Sequence, residues 1–225
     1  MMTKRCVLRA VSLLAAVFAL SGCVNAASKT IEKTGVQTVF SASTENISKV
    51  AAELEVDYID ELGLIHYKNP TDITYEQIYQ KLKINGLNVD APLTIEKFGQ
   101  DFNLCADSIE YIEEENVVCA EISYKGNVFA NISIKDCQNE KDFNGKEIIL
   151  IVVLDSLNDE NIITVSNIGI GSKREEVISE FGIPYAESVS DNSGDTMLTY
   201  GNENSMLSFS CENGSVQTIL IGFEL

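Results

Sequence analysis

Six segments in the last two-thirds of the chain, 117–124, 128–135, 147–154, 196–200, 206–211 and 216–223, are read as strands on a two-residue period. Successive side chains of a strand point to opposite faces, whereas the same pattern in a helix would scatter its apolar residues around the axis. Lys125-Gly126-Asn127 and Glu212-Asn213-Gly214 supply the Gly and Asn that tight hairpins need for positive φ. This part of the chain is therefore expected to form antiparallel meanders, packed on one face and polar on the other. Ile122, Tyr124, Leu198, Tyr200, Leu207 and Phe209 fall on the packed side. Glu121, Ser123, Phe129, Asn131, Ser133, Thr199, Met206, Ser208 and Ser210 fall on the other.

Helical spacing is read elsewhere. Ile47, Val50, Ala51, Leu54, Tyr58 and Leu62 recur at intervals of three, four and seven and are followed by Gly63, which predicts a helix over 46–62. A short strand is expected at 64–67. Thr74 and Gln77 then form a capping-box pair ahead of Tyr75, Ile78, Tyr79 and Leu82, and Gly86 closes this second helix, whose stripe reads as core. Ile95-Glu96-Lys97-Phe98-Gly99-Gln100-Asp101-Phe102 aligns with Ile178-Ser179-Glu180-Phe181-Gly182-Ile183-Pro184-Tyr185, and Ile122-Ser123-Tyr124 with Leu198-Thr199-Tyr200. Each stretch then introduces a helix followed by a three-stranded meander. The expected fold class is α+β, with tandem helix-plus-antiparallel-meander repeats at 92–155 and 162–225. Their helices share one face of the sheet, and an extra helical region precedes them at 46–91.

The N-terminus reads as an address. Lys4, Arg5 and Arg9 precede an apolar run over 10–20, too short for the ~20 residues that span a bilayer, and Leu20-Ser21-Gly22-Cys23 follows. That tetrapeptide resembles the lipobox of bacterial lipoproteins, in which the Cys is diacylated and becomes the new N-terminus. The resemblance implies a signal peptide at 1–22 and a diacylglyceryl, palmitate-type anchor on Cys23. The protein would then stand on the outer face of the bacterial cell membrane. The competing cleavage, after Ala26 or Ala27, would give a secreted protein instead. Two acyl chains hold a protein without a polybasic patch. Residues 23–45, rich in Ser, Thr and Ala, then act as a tether with an r.m.s. reach of about 25 Å.

Charge decides which partners are open to such a body. The chain carries 16 Lys+Arg against 34 Asp+Glu, and loss of the three basic residues in 1–22 leaves 13 against 34. Affinity for nucleic acid depends on clustered Lys and Arg, so nucleic acid is excluded as a partner. Anionic headgroups repel the same surface.

Gly171-Ser172-Lys173-Arg174-Glu175-Glu176-Val177 followed by Phe181-Gly182-Ile183-Pro184 places Ser172 as a helix N-cap, with Glu175 three residues on and Gly182 and Pro184 as stop signals. This string resembles the "G-x-T-x-x-x-V … L-G-x-P" signature of the small outer-membrane-assembly lipoproteins (BamE, SmpA/OmlA) and of β-lactamase-inhibitor-protein-like (BLIP-like) folds, with Phe181 where Leu is usual. The chain is also similar to lipoproteins of Gram-positive anaerobes. The resemblance spans 168–223, with a weaker echo over 93–154. It implies a fold of that kind and the habit of holding another protein on the open face of a sheet.

No nucleophile elbow, Ser-x-x-Lys, His-Glu-x-x-His, Cys-x-x-Cys or phosphate-binding loop is present, and no pattern calls for a metal or a cofactor. His66, the one imidazole, reads as structural. The acidic runs Glu113-Glu114-Glu115 and 155–160 lack the ligand spacing and central Gly of a calcium loop and read as solvated. Cys105, Cys119, Cys137 and Cys211 remain after processing. Their even number fits disulfides among them and equally fits free buried thiols.

The sequence therefore points to a non-catalytic, lipid-anchored envelope module that binds a protein or peptide. Its candidate face carries Glu121, Ser123, Phe129, Asn131, Thr199, Met206 and Ser208, unless the N-terminal helices cover it as ordinary packing. A small-ligand-binding or sensory lipoprotein is the alternative, and an enzyme the weakest reading.

Overall fold

The computed structural model describes residues 54–154, 161–190, 194–202 and 205–223. The signal segment, Cys23, the tether and the acidic run at 155–160 lie outside them.

The fold is built mainly of antiparallel sheet. Among the described residues fourteen strands run in chain order: β1 (Val56–Ile59), β2 (Ile65–Tyr67), β3 (Leu82–Ile84), β4 (Leu87–Asn88), β5 (Phe102–Leu104), β6 (Glu110–Ile112), β7 (Val117–Tyr124), β8 (Asn127–Ile134), β9 (Ile148–Val153), β10 (Ile163–Val165), β11 (Ala186–Val189), β12 (Thr196–Asn202), β13 (Ser205–Glu212) and β14 (Ser215–Phe223). Eleven of them join in one sheet of order β1-β2-β11-β12-β13-β14-β9-β8-β7-β5, with β6 pairing β7 on the same edge as β5, and β10-β3-β4 form a separate small sheet. Two helices are described, α1 (Tyr75–Lys81) and α2 (Arg174–Phe181), of seven and eight residues.

The six long strands arise where the two-residue period stands. Lys125 and Gly126 between β7 and β8, and Asn213 and Gly214 between β13 and β14, all take positive φ, the geometry of hairpin turns whose twist matches the strands they join. One face of the large sheet carries the core. Ile122, Leu198, Tyr200, Leu207 and Phe209 are fully buried there, with Ile132, Ile151 and Ile221 from the central strands. Tyr79 of α1 stacks on Phe223 at 4.5 Å, and Phe181 of α2 meets Phe209 at 5.3 Å, so both helices pack on this face.

The expected α+β architecture of tandem helix-plus-meander repeats behind an extra helical region is overturned: the fold is β-rich. Its N-terminal part fails first. Within the predicted helix 46–62, of which 46–53 lie outside the described residues, Val56–Ile59 is a strand paired with Ile65–Tyr67. Val56, Ile59 and Ile65 are β-branched, which favours a strand. Asp60 fixes the turn by accepting the N–H groups of Leu62 and Leu64 on Oδ1, both at 2.9 Å. Gly63, read as a helix stop, takes φ 80° inside this hairpin.

The second predicted helix keeps its capping box, Thr74 with Gln77, but ends at Lys81, and Leu82–Ile84 pairs with β10. The expected helix at Ile95 is only a four-residue 3₁₀ turn, Ile95–Phe98. Leu93, two residues before it, is pinned by Tyr79 Oη accepting its N–H and by its carbonyl accepting the N–H of Ile148. Gly99 follows with φ 101°, so too few residues remain for a helix. In α2 the cap sits one residue later than the sequence suggests: Glu176 accepts the N–H of Lys173 at 2.8 Å, while Ser172 Oγ accepts that of Gly169. Gly182 is required after α2, because a Cβ there, at φ 81°, would lie 2.4 Å from Thr71 Oγ1.

Candidate functional site

The second face of the large sheet is set by register. Glu121, Asn131, Val152, Leu220, Ser208, Thr199, Ala186, His66 and Tyr58 stand opposite one another in a single row across nine strands, a span of roughly 38 Å at the usual strand spacing. Cys119, Ser133, Leu150, Gly222 and Met206 form the next row. Among the described residues no helix or strand is laid across this face. Glu121 is exposed, Asn131, Val152, Thr199, Met197 and Met206 are half-buried, and Ser208 and Leu220 are buried.

Of the seven residues the sequence assigns to a binding face, Glu121, Asn131, Thr199 and Ser208 thus share one row, and Met206 lies in the next. Ser208 Oγ and Thr199 Oγ1 are 3.2 Å apart in a hydrogen bond. Ser123 lies at the β5 end, buried, with its Oγ donating to the Asn103 carbonyl at 3.2 Å. Phe129 does not belong to this face. The β7–β8 register skips it between Ala130 and Val128, and this bulge turns its ring into the core, where it is 1% exposed and meets Phe102 at 6.0 Å.

At the β1 end the face runs into an aromatic cluster that the helical reading of 46–62 hid. The Tyr58 ring stacks on His66 at 4.4 Å and 11°, and Tyr185 meets the same imidazole edge-on at 5.5 Å. His66 Nε2 lies 3.2 Å from Asp60 Oδ2. The backbone N–H of Leu64, first among several hydrogen-bond partners, holds the Asp60 carboxyl below the usual range. Val56, Tyr58, Ile59 and Leu62 are all exposed, Leu62 to 85%. The signal that could have found this edge is the alternation Glu55-Val56-Asp57-Tyr58 running into Asp60 and Gly63.

Beneath the hairpin, on the core face, lies a buried ion pair that the sequence did not announce. Glu187, 3% exposed, accepts from Arg174 Nη2 at 2.8 and 2.9 Å on its two oxygens and from the Tyr67 hydroxyl. Burial opposes the Arg174 charge, but the adjacent Glu187 carboxylate outweighs it and holds the guanidinium above its ordinary pKa. Burial, then the Glu187 hydrogen bond, pushes the Tyr67 hydroxyl up. The network ties β2, β11 and α2 together.

Cys105, Cys119, Cys137 and Cys211 are free thiols. Cys119 lies on the second face with its Sγ 3.4 Å from Ser133 Oγ, while the thiol of Cys137 donates to the Ile134 carbonyl inside the core. Burial raises the thiols of Cys119 and Cys137 and pushes Cys211 up to about 11, which leaves them poor nucleophiles. Alkylation of the denatured, unreduced mature protein is expected to add four groups; an increment of two or none would establish disulfides. A cavity of about 110 Å³ opens between α1 and α2, lined by Ile73, Gln77, Lys81, Glu180 and Phe181. Among the described residues no cluster of three metal-ligating side chains occurs, and no helix is long and apolar enough to cross a membrane. No family model matches this chain, and neither does any curated protein or solved structure with which it was compared.

Proposed function

We propose that this chain is a lipid-anchored envelope protein that binds a protein or peptide and carries out no chemistry of its own. The observation that supports this most is the uninterrupted second face of the large sheet. Asn131, Thr199 and Met206 stand half-buried there with small polar neighbours, and no described element lies over them. Such a surface combines hydrogen-bonding groups with adaptable thioethers, as protein interfaces do. The likeness of 171–184 to the assembly lipoproteins points to the same habit, and Leu-Ser-Gly-Cys at 20–23 supplies the anchor.

Membrane fractionation and intact mass of the wild type beside Cys23→Ala test the address. The wild type should carry diacylglycerol and sediment with membranes, and the variant should be soluble. A photo-crosslinking residue in place of Asn131, used in the native envelope, tests the binding. One discrete crosslinked protein is expected, and its absence would overturn the reading.

A further inference from the structure

We propose that β1 is a docking edge that accepts a basic, extended peptide segment of another protein as an added antiparallel or parallel strand. This rests on the binding reading above and names its partner. β1 is the terminal strand of the large sheet, paired only with β2 among the described residues, so its outer side presents backbone N–H and C=O groups that another strand can use. All four of its residues are exposed. Val56, Tyr58, Ile59 and the neighbouring Leu62 put an apolar surface at this edge, and Tyr58 is held flat on His66. An edge strand with exposed apolar side chains is a ready template for another strand.

Charge selects the occupant. Glu55, Asp57, Asp60 and Glu61 surround the strand. Glu55 is paired with Lys68 and Asp60 with His66, while Asp57 and Glu61, both exposed, form no salt bridge among the described residues. Acidic side chains on an edge repel a second copy of the same edge, which is how proteins prevent self-pairing. The whole chain, at a formal −18, adds to that repulsion. A strand bearing Lys or Arg meets the opposite condition: its cations are drawn to the exposed Asp57 and Glu61 while its backbone pairs with the outer side of β1.

The test uses the full mature chain with Cys23→Ser and, as probes, an eight-residue peptide alternating Lys with Val or Thr and its Glu counterpart, followed by fluorescence anisotropy and amide hydrogen exchange. The Lys peptide should bind and protect the amides of 56–59, and the Glu peptide should not. Asp57→Lys with Glu61→Lys, two exposed positions whose exchange leaves the fold intact, should weaken the Lys peptide on the order of tenfold and admit the Glu peptide. Failure of the Lys peptide to bind, binding indifferent to the charge reversal, or protection away from β1 would overturn the proposal. So would β1 amides protected without peptide, in a dimer (a second copy holds the edge) or in a monomer (the chain's own N-terminal segment holds it). A crosslinker at Ile59 separates the two readings. Capture at Asn131 but not at Ile59 sinks the edge alone, and capture at neither sinks both.

Discussion

Arg174→Met is expected to cost about 3–5 kcal/mol of stability, because it strands a carboxylate that the fold has taken out of water. Glu187 is 3% exposed, and without the guanidinium only the Tyr67 hydroxyl would face it. Most of the loss comes from holding an unpaired charge away from water, and the missing hydrogen bonds add to it. The interpretation has an internal control. Arg174→Met combined with Glu187→Leu removes both charges, and apolar replacement of a buried pair is often neutral, so the double variant should recover most of the loss. Tyr67→Phe should cost less, about 1.5–3 kcal/mol, the value of one hydrogen bond to a charged group. Urea unfolding of the four proteins measures all three. Equal loss in the single and double variants would mean that packing, not charge, holds the hairpin to α2.

Phe129→Ala should be comparably severe, about 3–5 kcal/mol, whereas Met206→Ala should leave the midpoint nearly unchanged. Both residues are read from the sequence as members of one polar face, yet Phe129 packs against Phe102 in the core while Met206 is half-buried on the second face. Chemical denaturation separates them directly. If Phe129→Ala unfolds with a wild-type midpoint, the β7–β8 bulge does not seat the ring as described.

The contrast between these two residues shows where a sequence is legible. Side-chain parity passes unchanged across any strand ladder without bulges, so Thr199, Ser208, Asn131 and Glu121 could be placed together from alternation alone, and the structure puts them in one row. A single extra residue in β8 breaks the parity, and nothing in Val128-Phe129-Ala130 announces it. The 46–62 segment misled for a different reason. Apolar residues at three- and four-residue spacing also contain short alternating runs, and over four residues the β-branched content of Val56–Ile59 and the Asp60 turn decide the outcome. The Arg174–Glu187–Tyr67 network was beyond reach because its members come from an α-helix and two strands whose adjacency is itself a product of folding.

One pairing also governs when the body can form. The closing contact between β2 and β11, with Tyr67 bonded to Glu187, joins residues 120 apart in the chain. Bringing such distant segments together costs loop entropy before any contact rewards it, and sheets dominated by pairings of this kind fold in the millisecond-to-second range. In order of synthesis the β1–β2 hairpin emerges first, yet it has no sheet to join until β11 exists. Its apolar edge is therefore without a neighbouring sheet throughout synthesis of the intervening chain, and during that interval the four acidic residues around it are the guard against pairing with the wrong strand.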